Sequence, residues 1–202
     1  MMRRPRLFRA DRTGAAASAA SLSAADDRAL LRLVADGDAG ALSALYERYK
    51  GPLFGYLHRL AGDQMTAEEI LQDTMLAVWR SAGTFAERSK ATTWLFGVAR
   101  RQAHNRLRGR PSPAPLEAFD RPDDATGPAE LAIAAAGATP IAVAIGRLPD
   151  HHREVVSLVF VAGLPLSEVA AVLEVPVGTV KSRLHHARAA LAVLLTVQEV
   201  SE

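Results

Sequence analysis

Between residues 111 and 128 the chain reads PSPAPLEAFDRPDDATGP, with five prolines and four acids in eighteen positions. Proline locks φ and lacks a backbone donor, so neither a helix nor a sheet ladder propagates through such a stretch. Its few apolar side chains cannot offset the entropy of ordering it, which makes it a linker. A chain of 202 residues is thereby cut into two blocks joined by a tether.

Both blocks are written in helical periods. Leu30, Leu31 and Val34, then Leu42, Leu45, Tyr46 and Tyr49, recur at three- and four-residue steps. Gly51-Pro52 reads as an interruption, and a stripe through Leu53, Phe54, Leu57 and Leu60 resumes until Gly62-Asp63. Thr66-Ala67-Glu68-Glu69 has the spacing of a capping box that opens a helix running to about Arg80. A loop follows near Ser81 to Lys90, then a helix from about Thr92 to Leu107. Beyond Pro140 the stripes return as Ile141, Ile145 and Leu148; Val155, Leu158 and Val159; Leu166, Val169, Ala170 and Leu173; and Val180, Leu184, Ala187 and Leu191. Hydrophobic residues make up 49% of the chain but aromatics only 5%; Ala, Leu and Val dominate, which favours helices over a sandwich of strands. The expected fold is all-α: two small helical domains joined by a flexible linker. The boundaries are a disordered extension over 1–25, a first domain over 26–109, the linker over 110–139 and a second domain over 140–198.

A net charge of +2 says little, but its distribution is informative. Residues 90–110 hold Lys90, Arg100, Arg101, Arg106, Arg108 and Arg110 without one acid, and residues 175–198 hold Lys181, Arg183 and Arg188, again without one. Glu68, Glu69 and Asp73 form an anionic face elsewhere, so at least two kinds of surface are expected. With no cysteine, disulfides, thiolate metal sites and thiol redox sensing are excluded. The six histidines include the pairs His151-His152 and His185-His186. Neighbours on a helix point about 100° apart, so neither pair chelates, and no metal or cofactor is expected. There is no phosphate-binding glycine loop and no nucleophile elbow, and hence no catalytic set. MMRRPRLFRADRTG has no apolar core behind it, and Leu131–Ile145 is short and broken by Gly137 and Pro140. A cytoplasmic protein without direct membrane insertion is the expectation.

The sharpest local signal runs from Leu164 to Leu184, LPLSEVAAVLEVPVGTVKSRL. Ser167 reads as the N-cap of a short helix, and a turn at Glu174 to Pro176 leads into a longer one. That is a helix-turn-helix, whose second helix offers Thr179, Lys181, Ser182, Arg183, His185 and His186 to the major groove. Lysine and arginine there can bind phosphates or guanine acceptors, and serine can bind a base edge or a phosphate.

With the preceding LPDHHREVVSLVF (148–160), residues 145–194 resemble the fourth conserved region of bacterial RNA polymerase sigma factors. The phrases AEEILQDTMLAVWR (67–80) and ATTWLFGVARRQAHNRL (91–107) resemble the second conserved region of the extracytoplasmic-function group. The resemblance implies that Glu69, Gln72 and Asp73 dock on the β′ clamp of core RNA polymerase. It implies that Phe85, Lys90, Trp94, Arg100, Arg101, His104, Asn105 and Arg108 engage the melted −10 element of promoter DNA, where unpaired bases stack on aromatics and cations neutralise phosphates. It implies that the second domain reads the −35 element and touches the β flap. The family often carries an aromatic or arginine where His185 and His186 stand; a neutral histidine cannot grip guanine bidentately, so this departure bears on which promoter sequence is read and not on the docking mode. The residues of 189–197 are apolar on nearly every side. Such surfaces call for a cover, expected to be a helical anti-sigma factor wedged between or across the two domains. The alternative is a two-domain helix-turn-helix regulator whose first domain senses a ligand or phosphorylation.

Overall fold

A computed structural model describes residues 19–108 and 139–199. The readings made for residues 1–18 and for the linker up to residue 138 lie outside them. The first half holds α1 (Ala19–Ala24), α2 (Asp27–Ala35), α3 (Ala39–Ala61), α4 (Gln64–Ser81), a 3-10 turn (Ala82–Thr84) and α5 (Ala91–Leu107). The second holds α6 (Pro140–Gly146), α7 (Asp150–Val156) continued by a π turn (Ser157–Val161), α8 (Leu166–Leu173) and α9 (Val177–Glu199). No strand occurs among the described residues.

Aspartates start α2, α3 and α4. Asp26 accepts from the Ala29 N–H at 2.7 Å, Asp38 from Ala41 at 3.1 Å and Asp63 from Thr66 at 2.8 Å. Each satisfies a donor that the helix itself leaves unpaired. Asp63 displaces the expected capping box: α4 begins two residues before Thr66, which is buried within its first turn. A carboxylate at that position adds a favourable charge at the positive end of the helix, so the earlier start wins. Gly51-Pro52 does not interrupt either. Helix α3 runs through it, because Leu45, Tyr49, Leu53, Tyr56 and Leu57 form one unbroken buried stripe. Each fully buried leucine contributes about 1.5–3 kcal/mol, enough together to outweigh the hydrogen bond that Pro52 forgoes. Gly62, at φ 81°, ends the helix in the left-handed conformation that glycine adopts without strain. Residues 19–24, read from sequence as part of the extension, instead form α1 with Leu22 buried against α3.

Helices α3, α4 and α5 pack on one another with α2 across them, and Tyr56 meets Phe96 edge-on at 5.6 Å between ring centres. In the second half Leu148, Val155, Leu158, Val169, Val180 and Ala187 are fully buried. The two halves also touch: α3 packs on α7 and the π turn, and α5 packs on α8. Buried apolar side chains form one continuous cluster across both.

Candidate nucleic-acid and polymerase interfaces

Helix α8 ends at Glu174, which takes φ 58° and so turns the chain sharply. Its start lies one residue before Ser167, with Pro165 at the cap and no side-chain acceptor, so Ser167 is not the N-cap. Proline's fixed φ sets that entry instead. After Pro176, α9 buries Val180, Leu184 and Ala187 at three- and four-residue steps, which locks its rotation. Lys181, Ser182, His185 and His186 are therefore held exposed on the opposite side, with Thr179 and Arg183 half-buried at its margins. All six side chains expected at the groove lie on one helix whose inner face is anchored.

One neighbour of this face was not visible in the sequence. His152 of α7 stands edge-on to His186 at 6.2 Å, and His151 lies 4.2 Å from His152. Burial first, then the neighbouring His151, His186 and Arg183, hold His152 below the ordinary histidine value. The two histidine pairs thus form one patch at the edge of α9, though among the described residues no metal-binding cluster occurs.

Helix α5 carries the other basic surface, and its charges divide between two directions. Arg101, Asn105 and Arg108 are exposed together. Arg100 and His104, one turn apart, face the second half: Arg100 Nε donates to Glu154 Oε1 at 2.9 Å, and His104 Nε2 lies 3.2 Å from the same oxygen. Successive residues on a helix differ by about 100°, enough to place neighbours Arg100 and Arg101 on different faces. Lys90 Nζ, just before α5, is 2.5 Å from Glu168 Oε1. Phe85 and Trp94 are half-buried against the core with ring centres 5.7 Å apart, so each has a packing role as well as an accessible edge.

This arrangement, an aromatic-flanked basic helix followed by an anchored helix-turn-helix, matches known proteins in both halves. Residues 45–111 match the family model for Sigma-70 region 2, and residues 139–191 that for Sigma-70 region 4. The ECF RNA polymerase sigma factor SigL of Mycobacterium tuberculosis is 34% identical over 170 residues, covering 82% of this chain and 94% of SigL. The chain belongs to the ECF sigma factors. RpoE of Cereibacter sphaeroides, another ECF sigma factor, is 32% identical over 158 residues, 77% of this chain and 87% of RpoE. Among solved structures, CnrH in complex with the cytosolic domain of CnrY superposes with a TM-score of 0.66 at 26% identity, over 85% of this chain and 97% of CnrH. A ligand-sensing regulator would share the second half alone; the region 2 match removes that alternative.

On this sigma factor the anionic face of α4 is exposed as expected at Glu69, Gln72 and Asp73. It is not bare. Arg106 of α5 is hydrogen-bonded to Glu69 and lies 4.0 Å from Asp73. Exposed apolar residues border it, Leu76 and Trp79 on α4 and Tyr46 on α3; the periodic stripe includes Tyr46, which the structure instead leaves exposed. No described helix is long and apolar enough to cross a membrane.

Proposed function

We propose that this sigma factor docks its α4 face on the β′ clamp of core RNA polymerase, reads the −35 element with α9, and holds the melted −10 element with α5 and the loop before it. The observation that carries the reading is the anchored face of α9, because a helix fixed at Val180, Leu184 and Ala187 presents Lys181, Ser182 and His185 in a constant register. Region 4 also contacts the β flap in this reading. The protein works in the cytoplasm beside its polymerase, and initiates transcription without chemistry of its own.

An anti-sigma factor is proposed as its regulator. CnrH was solved with the cytosolic domain of CnrY, and RpoE of Bartonella quintana, 25% identical with a TM-score of 0.54, with the anti-sigma factor NepR. Direct packing of the two halves favours a partner lying across them over one wedged between, since a wedge must first part α3 from α7. Phe160 and Ile141, exposed on the second half, supply apolar surface for it.

Run-off transcription with core polymerase tests the reading, and specific initiation is the expected result. Gln72→Ala with Asp73→Ala should weaken polymerase binding while helical circular dichroism is unchanged. Full-strength binding by that variant would remove α4 from the clamp interface. Co-purification from native cells that recovers polymerase subunits alone, at every growth condition, would remove the anti-sigma factor.

A further inference from the structure

Two carboxylates of the second half are held by donors that all come from the first. Glu154, on α7, is 8% exposed at its side chain and accepts from Arg100 Nε at 2.9 Å and Tyr56 Oη at 3.2 Å, with His104 Nε2 at 3.2 Å. Glu168, on α8, is 11% exposed at its side chain and meets Lys90 Nζ at 2.5 Å and Thr93 Oγ1 at 3.2 Å. Burial pushes the Glu154 carboxyl up, but the His104 hydrogen bond and the charge of Arg100 together outweigh it and leave the group ionised below the usual carboxylate range. Tyr56 is fully buried, and burial followed by the Glu154 charge pushes its hydroxyl well up, so it remains a donor.

Backbone packing adds a steric contribution. Gly55 lies in the middle of α3, where glycine costs about 1 kcal/mol relative to alanine. A Cβ at that position would stand 2.7 Å from Cγ1 of Val161 on the π turn. The absent side chain is what lets the second half approach α3 so closely.

Arg100, His104 and Lys90 are residues assigned above to −10 DNA, and a carboxylate accepts from the same N–H donors that a phosphate oxygen would. The recognition residues Lys181, Ser182 and His185 remain exposed in the same arrangement. We infer that Glu154 and Glu168 act as intramolecular phosphate surrogates, so that the free sigma factor holds Arg100, His104 and Lys90 of its −10 set paired while its −35 face stays open. The inference rests on the −10 role proposed for α5. The single-stranded strand and the second half then compete for one set of donors, and opening must precede capture of the melted −10 segment.

The full chain has no cysteine, so Ser43→Cys on α3 and Ala171→Cys on α8, both at exposed positions, take two spin labels cleanly. Two separate variants in this background open the contact by different means. Glu154→Gln with Glu168→Gln removes the charges, and Gly55→Ala inserts a methyl against Val161, whose β-branched side chain has little freedom to yield. The alanine favours α3, so that variant remains folded. Both should lengthen the distance between labels. Both should also tighten binding of a labelled poly-dT oligonucleotide about fivefold or more, since apparent affinity scales with the fraction of competent chains. Duplex binding through α9 should change little.

Unchanged label distances in both variants would overturn the closure. Opening without tighter poly-dT binding would overturn the occlusion. A gain confined to the charge variant, and shared by duplex DNA, would reduce the effect to net charge and overturn it too. Failure of the underlying −10 reading looks different: Arg100→Ala with Arg101→Ala would then leave poly-dT binding intact in the opened variant, whatever the label distances show.

Discussion

The contact between Arg100 and Glu154 should behave as an energetic unit joining the two halves. Two unit charges about 4 Å apart attract by ~1 kcal/mol in water and ~4 kcal/mol at the effective dielectric of a protein surface. With Arg100 24% exposed and Glu154 8%, the pair sits between those limits. A charge-assisted hydrogen bond typically nets ~1.5–3 kcal/mol, and both figures place the coupling near 2 kcal/mol. Arg100→Ala alone should cost more than that coupling, because it strands a buried carboxylate that only His104 and Tyr56 then serve. Glu154→Gln keeps the volume and removes the charge. The assay is a double-mutant cycle on urea-induced separation of the halves, followed by energy transfer between dyes at Ser43→Cys and Ala171→Cys. Cost of the double variant should fall short of the summed single costs by about 2 kcal/mol. Because the carboxyl titrates below its ordinary value in the folded chain, this stabilisation is fully present above the ordinary carboxylate pKa. It is lost as pH falls through the depressed folded value, so the coupling should be equal at pH values of about 7 and 9 and vanish in strong acid. Additivity within about 0.5 kcal/mol at neutral pH would refute the reasoning.

Replacing Asp63 by alanine should destabilise the first half by about 1 kcal/mol in urea unfolding, through loss of the bond to the Thr66 N–H. Tyr49 donates to Asp27 Oδ2 at 2.5 Å; burial first, then that bond, pushes its phenol up to about 12. Absorbance titration should therefore show a late-ionising component, shared with Tyr56, that Tyr49→Phe diminishes, and the stability Tyr49 confers should be complete below the ordinary tyrosine value and lost as pH rises through about 12. Lys181→Ala and Arg183→Ala should each weaken duplex promoter binding, and each should reduce the slope of log affinity against log salt by about 1 if it removes one phosphate contact. Slopes identical to the unsubstituted protein would place these side chains off the backbone.

Whatever depended on near neighbours in the chain could be read from the sequence. Helical periods, the helix-turn-helix with its turn at Glu174 and the arrest at Gly62 are all local, set by side chains within one or two turns of each other. Even so, local rules misplaced two helix starts, because Thr66 and Ser167 are good caps that Asp63 and Pro165 pre-empt. They also broke α3 at Gly51-Pro52, where the penalty at one residue is outweighed by a buried stripe that only packing reveals. Tertiary structure alone decided which way each charge on α5 looks. Arg100 meets an acid 54 positions away and Lys90 one 78 positions away, distances at which no periodicity carries information. Helical patterning says that a residue lies on a face; what that face meets depends on how two separately patterned halves dock. Here a missing Cβ at Gly55 and two largely buried carboxylates mark that docking.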